Sequence, residues 1–96
     1  MIVKVDEDLR DIVPQYLSKR RDEIEDMKKA LSENDMEKLR VTGHKLKGSG
    51  GGYGFDYLTD VGTAIETAAK ASDKQELTRQ LQLLADFLEQ LEVVYE

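Results

Sequence analysis

Apolar residues recur three and four positions apart through most of this chain, and no stretch sustains an alternation of apolar and polar residues with β-branched enrichment. That spacing puts the apolar side chains on one stripe of a helix and leaves a strand no face to bury. The clearest case is Leu77, Leu81, Leu84, Leu88, Leu91 and Tyr95, a heptad-like seam in steps of four and three. Pro14, the only proline, suits the first turn of a helix. A helix is expected from there to about Leu31, with Leu17, Ile24, Met27 and Leu31 on its stripe and a gap at Arg20 and Arg21. Before it, Leu9, Ile12 and Val13 allow a short amphipathic turn or helix.

The punctuation agrees. "SEND" at 32–35 offers Asn34 or Asp35 as an N-cap for a helix carrying Met36, Leu39 and Leu46 inward. "GGYGF" ends that helix, and another follows from about Phe55 to Ala71, with Leu58, Val61, Ile65 and Ala68 or Ala69 inward. "SDKQE" supplies Ser72 or Asp73 as a cap, with Gln75 or Glu76 near the third helical position, a capping-box arrangement. Short connections between long helices favour antiparallel neighbours. The expected fold is all-α, an antiparallel up-down four-helix bundle with a short N-terminal helix, no sheet and one domain over residues 1–96. A coiled-coil dimer on the last leucine seam is the alternative. The bundle, as a monomer, is preferred because the three preceding helices also have stripes to bury.

Composition removes several classes of function. There is no cysteine, which excludes disulfides, thiol catalysis and cysteine-ligated zinc or iron–sulfur sites, and fits a cytoplasmic location. Twenty acidic side chains against fourteen basic ones leave a net charge of -6, the wrong balance for a protein that grips nucleic acid or an anionic membrane surface. Apolar runs are only a few residues long, too short to span a bilayer.

Residues 43–54, "GHKLKGSGGGYG", hold the sole histidine and six of the seven glycines. With His44 at zero on a helical wheel, Met36, Leu39, Gly43, Leu46 and Gly50 fall between roughly 200° and 280°, the core sector. His44 therefore points outward, with Glu37, Arg40, Val41, Lys47, Gly48 and Gly51 as its neighbours on that face. An exposed imidazole is a nucleophile near neutral pH. Lys47, one turn on, sets an ammonium beside an anion carried on the ring. Gly48 removes the side chain that would crowd it, and Val41 offers an apolar contact. Antiparallel packing brings the Arg20 and Arg21 gap to about the height of His44, where either guanidinium is a candidate for an anion on the ring, such as a phosphoryl group, or for acidic residues of a partner. Each glycine inside a helix costs about 0.8–1 kcal/mol relative to alanine, so some are expected to permit close helix packing and the rest to keep the surface beyond His44 flat.

The stretch "HKLKGSGGGYGF" resembles the histidine-containing phosphotransfer (HPt) domain, whose pattern H-x-L-K-G-S with a later glycine is matched by His44, Leu46, Lys47, Gly48, Ser49 and Gly54. The resemblance covers most of the chain and implies a four-helix bundle with the motif on the second long helix. It implies that His44 exchanges a phosphoryl group with the aspartate of a response-regulator receiver domain, or receives it from a histidine kinase, in a two-component phosphorelay. Lys47 would stabilise that group, and Gly48, with Val41, Arg40, Gly51, Arg20 and Arg21, would form the docking face. Magnesium is expected on the receiver, with no cofactor and no ATP site in this chain. Ser49 lies about 140° from His44 and is expected to serve the bundle. Gly43 stands where the family often has alanine, and glycines are more numerous after the motif than is usual.

Rival readings fare worse. A Walker loop requires lysine where Ser49 stands, and "GSGGGY" ends in tyrosine where a dinucleotide fingerprint requires glycine. One histidine without cysteine makes a poor transition-metal site. The remaining alternative is a helical adaptor with an incidental histidine. One histidine with no acid–base relay suffices for a passive carrier, and the acidic residues elsewhere read as solvated faces.

Overall fold

The computed structural model describes all 96 residues. Strand β1 (Ile2–Val5) and a single 3-10 turn (Glu7–Leu9) precede four helices: α1 (Val13–Ser32), α2 (Met36–Gly50), α3 (Asp56–Lys70) and α4 (Lys74–Gln90). A second 3-10 turn, Gly51–Tyr53, follows α2, and strand β2 (Glu92–Tyr95) ends the chain. The helices form an up-down bundle in which α1 and α3 each pack against both α2 and α4. The all-α expectation holds for the body of the molecule, and no helix is long and apolar enough to cross a membrane.

The bundle buries the stripes the spacing marks. Leu17, Ile24 and Met27 of α1, Leu39 and Leu46 of α2, and Leu58, Val61, Ile65, Ala68 and Ala69 of α3 meet Leu77, Leu81, Leu84 and Leu88 of α4 in one core. The leucine seam of α4 is thus used inside the chain, and the coiled-coil alternative built on it falls. Asp35 and Asp73 are the N-caps, accepting hydrogen bonds from the backbone N–H of Lys38 (3.1 Å) and Glu76 (3.0 Å). Asn34 and Ser72, the other candidates, instead take left-handed conformations (φ 57° and 52°) that turn the chain after α1 and α3. The capping box is half-formed: Glu76 turns its carboxylate to Arg79 and Gln80 rather than back to its cap.

Two expectations are corrected at the ends of the chain. A sheet is present: β1 and β2 pair in parallel, Ile2 opposite Glu92 through Val5 opposite Tyr95. The helix predicted through Tyr95 stops at Gln90, and Leu91 is already extended (φ -67°, ψ 130°). A parallel pair needs a long crossover, and here the whole bundle is that crossover. Val3, Val5, Val93 and Tyr95 face the core while Ile2, Lys4, Glu92 and Val94 face solvent. The short N-terminal helix is correspondingly reduced to the 3-10 turn, capped by Asp6.

The closest approach in the bundle is between α2 and α3. A Cβ on Gly43 would lie 2.7 Å from the backbone nitrogen of Glu66, one on Gly50 2.8 Å from Leu58 Cβ, and one on Gly62 2.8 Å from the Gly43 carbonyl oxygen. These three glycines let the backbones touch, which brings side chains on the outer edges of the two helices within bonding distance.

Candidate functional site

His44 sits on the outward side of α2, its side chain 66% exposed. The residues opposite, Leu39, Gly43, Leu46 and Gly50, are all buried, as the helical wheel requires. The close α2–α3 contact then adds a residue the sequence reading passed over. Glu66 of α3, its side chain only 8% exposed, places Oε2 2.7 Å from His44 Nδ1. Its other oxygen, Oε1, accepts a hydrogen bond from Lys47 Nζ at 3.3 Å. One buried carboxylate therefore bridges the imidazole and the ammonium, a partner for His44 that the sequence alone did not assign.

The electrostatics follow from that bridge. The hydrogen bond from His44 is the main influence holding the Glu66 carboxyl below its ordinary range, opposed by burial and reinforced by the hydrogen bond and charge of Lys47 and the charge of Lys70. An ionised carboxylate can only accept, so in a neutral imidazole the proton resides on Nδ1. Nε2 keeps its lone pair and makes no hydrogen bond within the chain, on a side chain that is largely exposed.

The surface around this nitrogen is open. A Cβ on Gly48 or Gly52 would meet nothing within 4 Å. Gly51 is exposed too, with its N–H bonded to Thr59 Oγ1 at 2.9 Å. Val41 is half-buried on the same flank, and Arg40 pairs with Glu37 one turn before it.

The remaining candidates lie elsewhere. Arg21 reaches α4, where its guanidinium donates to the Leu88 carbonyl at 3.2 Å. Arg20 lies over the ring of Tyr16 at 4.6 Å, with Nε 2.7 Å from Glu23 Oε1. Neither makes a hydrogen bond or ion pair with any group of the His44–Glu66–Lys47 cluster. Ser49 does serve the bundle: its hydroxyl is 2.8 Å from that of Tyr16, which stacks on Tyr53 at 4.0 Å between ring centroids. Glu66 had one signal in the sequence. It follows Ile65 on the stripe that also carries Gly62 and Ala69, where a carboxylate is out of place unless it has partners.

Comparison with curated proteins and with solved structures returned no match. The family model for the Hpt domain matches residues 11–93, which take in all four helices and the motif around His44. The chain belongs to the Hpt domain family, whose members are phosphotransfer carriers of two-component signalling.

Proposed function

We propose that His44 Nε2 accepts a phosphoryl group from the aspartyl phosphate of a receiver domain and passes it to another receiver. The observation that carries this reading is the 2.7 Å contact between His44 Nδ1 and Glu66, which leaves Nε2 as the unbonded nitrogen of an exposed side chain. In the transfer, the bond between phosphorus and the aspartate oxygen breaks as the bond between phosphorus and Nε2 forms. The aspartate leaves as a carboxylate, and the ring becomes a phosphorylated imidazolium that keeps its proton on Nδ1. Glu66 balances that positive ring across the hydrogen bond. In the return step the same proton stays in place, so the ring departs from phosphorus as a neutral imidazole. No proton has to move in either direction.

Lys47 has a second task. Its Nζ already sits beside the same carboxylate, and a short swing from Glu66 would bring it to a phosphoryl oxygen on the ring. In-line phosphoryl transfer is governed by positioning and charge stabilisation, and these two residues supply both on the carrier side. The receiver supplies the aspartate and its magnesium ion. The absence of a side chain at Gly48, with Val41, Arg40 and Gly51 around it, gives the receiver room to approach. The burial of the α4 leucine seam supports a carrier that acts as a monomer.

The test is transfer from a panel of phosphorylated receiver domains to the wild-type chain and to His44→Gln. Label on the wild type alone, labile to acid and stable to base, supports the carrier. Equal labelling of folded His44→Gln would remove His44 from the role.

A further inference from the structure

The two flanks of His44 differ in charge. Helix α2 carries four basic side chains, Lys38, Arg40, Lys45 and Lys47, against one acidic one, Glu37. That is +3 on one helix of a chain with net charge -6, so the rest of the molecule carries -9. Counting about 100° per residue from His44, Lys47 and Arg40 lie about 60° and 40° round the helix in one sense. This is the α3 flank, because Lys47 reaches Glu66 there. Both cations on it are neutralised within the chain, Arg40 by Glu37 and Lys47 by Glu66.

On the opposite flank Arg20 pairs with Glu23, but the lysines are not neutralised. Lys45 and Lys38 lie about 100° and 120° round the helix in the other sense, close in azimuth to Ser49 at about 140°. Ser49 hydrogen-bonds Tyr16, so this flank faces α1. Lys38 and Lys45 are exposed and have no ion-pair partner, and Lys19 on α1 is the same. Between the helices, Lys19 and Arg20 line a shallow cavity of about 270 Å³ with the Tyr16 and Ser49 side chains, and half-exposed Ile12 forms part of its wall. Arg20 Nε is buried there. Glu23 lies 2.7 Å from it, but off the line of its N–H, so that donor has no hydrogen-bond acceptor.

From this asymmetry we infer that the receiver docks over the α1 flank of His44 through an acidic surface, seating a carboxylate in the cavity between Lys19 and Arg20 and facing Lys45 and Lys38 with the rest of its acidic edge. The inference rests on the carrier reading and adds the side from which the partner approaches and the charge it presents. The α3 flank offers such a surface no unspent cation on α2, whereas the α1 flank offers three lysines and a donor that lacks an acceptor. The remainder of the chain, at a net -9, opposes an acidic partner rather than attracting it. This arrangement speeds correct encounter more than it tightens the complex.

The experiment measures the second-order rate constant for transfer from one labelled receiver to the full chain across a series of salt concentrations. Lys19→Glu combined with Lys45→Glu is expected to slow transfer roughly tenfold or more at low salt and to flatten the salt dependence. The rate at saturating receiver should stay near wild type, since neither lysine belongs to the His44–Glu66–Lys47 cluster. Lys74→Glu, at the start of α4, is the remote-charge control, matched to either single variant, Lys19→Glu or Lys45→Glu, and should follow the wild type. Labelling of the wild type with an unchanged rate and salt slope in the folded double variant overturns the docking side alone. No labelling of the wild type from any receiver overturns the carrier reading, and the docking with it.

Discussion

Glu66 Oε2 lies 2.7 Å from His44 Nδ1, although the two residues are 22 positions apart and belong to different helices. The contact depends on the glycine-lined approach of α2 and α3, and it decides which ring nitrogen is left without a hydrogen bond. Replacing Glu66 with alanine should release the ring, populate the Nε2–H tautomer and lower the transfer rate on the order of 10- to 100-fold. Glu66→Gln can still accept from Nδ1 through its amide oxygen and should lose less. Nitrogen chemical shifts of the His44 ring report the tautomer directly. An unchanged ring spectrum in Glu66→Ala would show that the carboxylate does not hold the proton.

The same carboxylate makes the fold acid-sensitive in a defined window. The folded Glu66 carboxyl is held below its ordinary value of 4.5, chiefly by the hydrogen bond from His44. A group depressed on folding contributes stability that is present above its unfolded value and lost as pH falls through the folded one. Wild-type stability should therefore decline below about pH 4.5 more steeply than that of Glu66→Gln. Glu7, Glu37 and Glu76 are depressed as well by their arginine partners, but they are common to both proteins and cancel in the comparison. Urea unfolding of the two proteins between pH 3 and pH 7, measured in parallel, gives the difference; parallel profiles would remove the linkage.

The glycines of the motif divide into two kinds with opposite consequences. A methyl on Gly62 would press on the backbone of Lys47 and the Gly43 carbonyl, and one on Gly43 on the backbone of Glu66. Gly43→Ala and Gly62→Ala should each cost about 1–3 kcal/mol through overpacking, more than the helix-propensity gain of roughly 0.8–1 kcal/mol. Gly48 has open space where its side chain would be, so Gly48→Ala should gain up to that propensity increment. Gly48→Leu should fold as well as the wild type yet slow transfer by standing where the receiver approaches. Urea midpoints and transfer rates on the same variants separate the two kinds. Equal stability losses at positions 43 and 48 would contradict the division.

Where the sequence was readable, the reason is local. The apolar stripes, the aspartate caps and the outward direction of His44 follow from about 100° of rotation per residue, and each is fixed within a few neighbouring positions. Glu66 was missed because its role depends on how closely α3 approaches α2, which Gly43 and Gly62 determine only together. Arg20 and Arg21 were placed at the right height, but the rotation of α1 gives Arg21 to α4 and lays Arg20 over Tyr16. The sheet escaped notice for a related reason. Four residues at each end cannot establish an alternation, and their partner lies at the far end of the chain.

That terminal sheet is the basis of the last prediction. Truncation after Leu91 would remove the bonds from Glu92 N–H to the Met1 carbonyl (2.8 Å), from Glu96 N–H to the Val5 carbonyl (2.9 Å) and from Glu7 N–H to the Glu96 carbonyl (3.0 Å). It would also uncover Val5, one of the most deeply buried core residues, and take away Tyr95, over whose ring Arg10 lies at 4.6 Å. At about 1 kcal/mol per hydrogen bond, with the lost burial of Val93 and Tyr95 in addition, the truncated chain should be less stable by about 3 kcal/mol or more. The His44–Glu66–Lys47 cluster lies on α2 and α3 and makes no hydrogen bond or ion pair with either strand, so the transfer rate of the folded truncated chain should stay near that of the full chain. Urea unfolding and receiver-to-histidine transfer on one preparation address both halves. A folded truncated chain that no longer accepts phosphate would mean that the strands take part in docking as well as in closing the bundle.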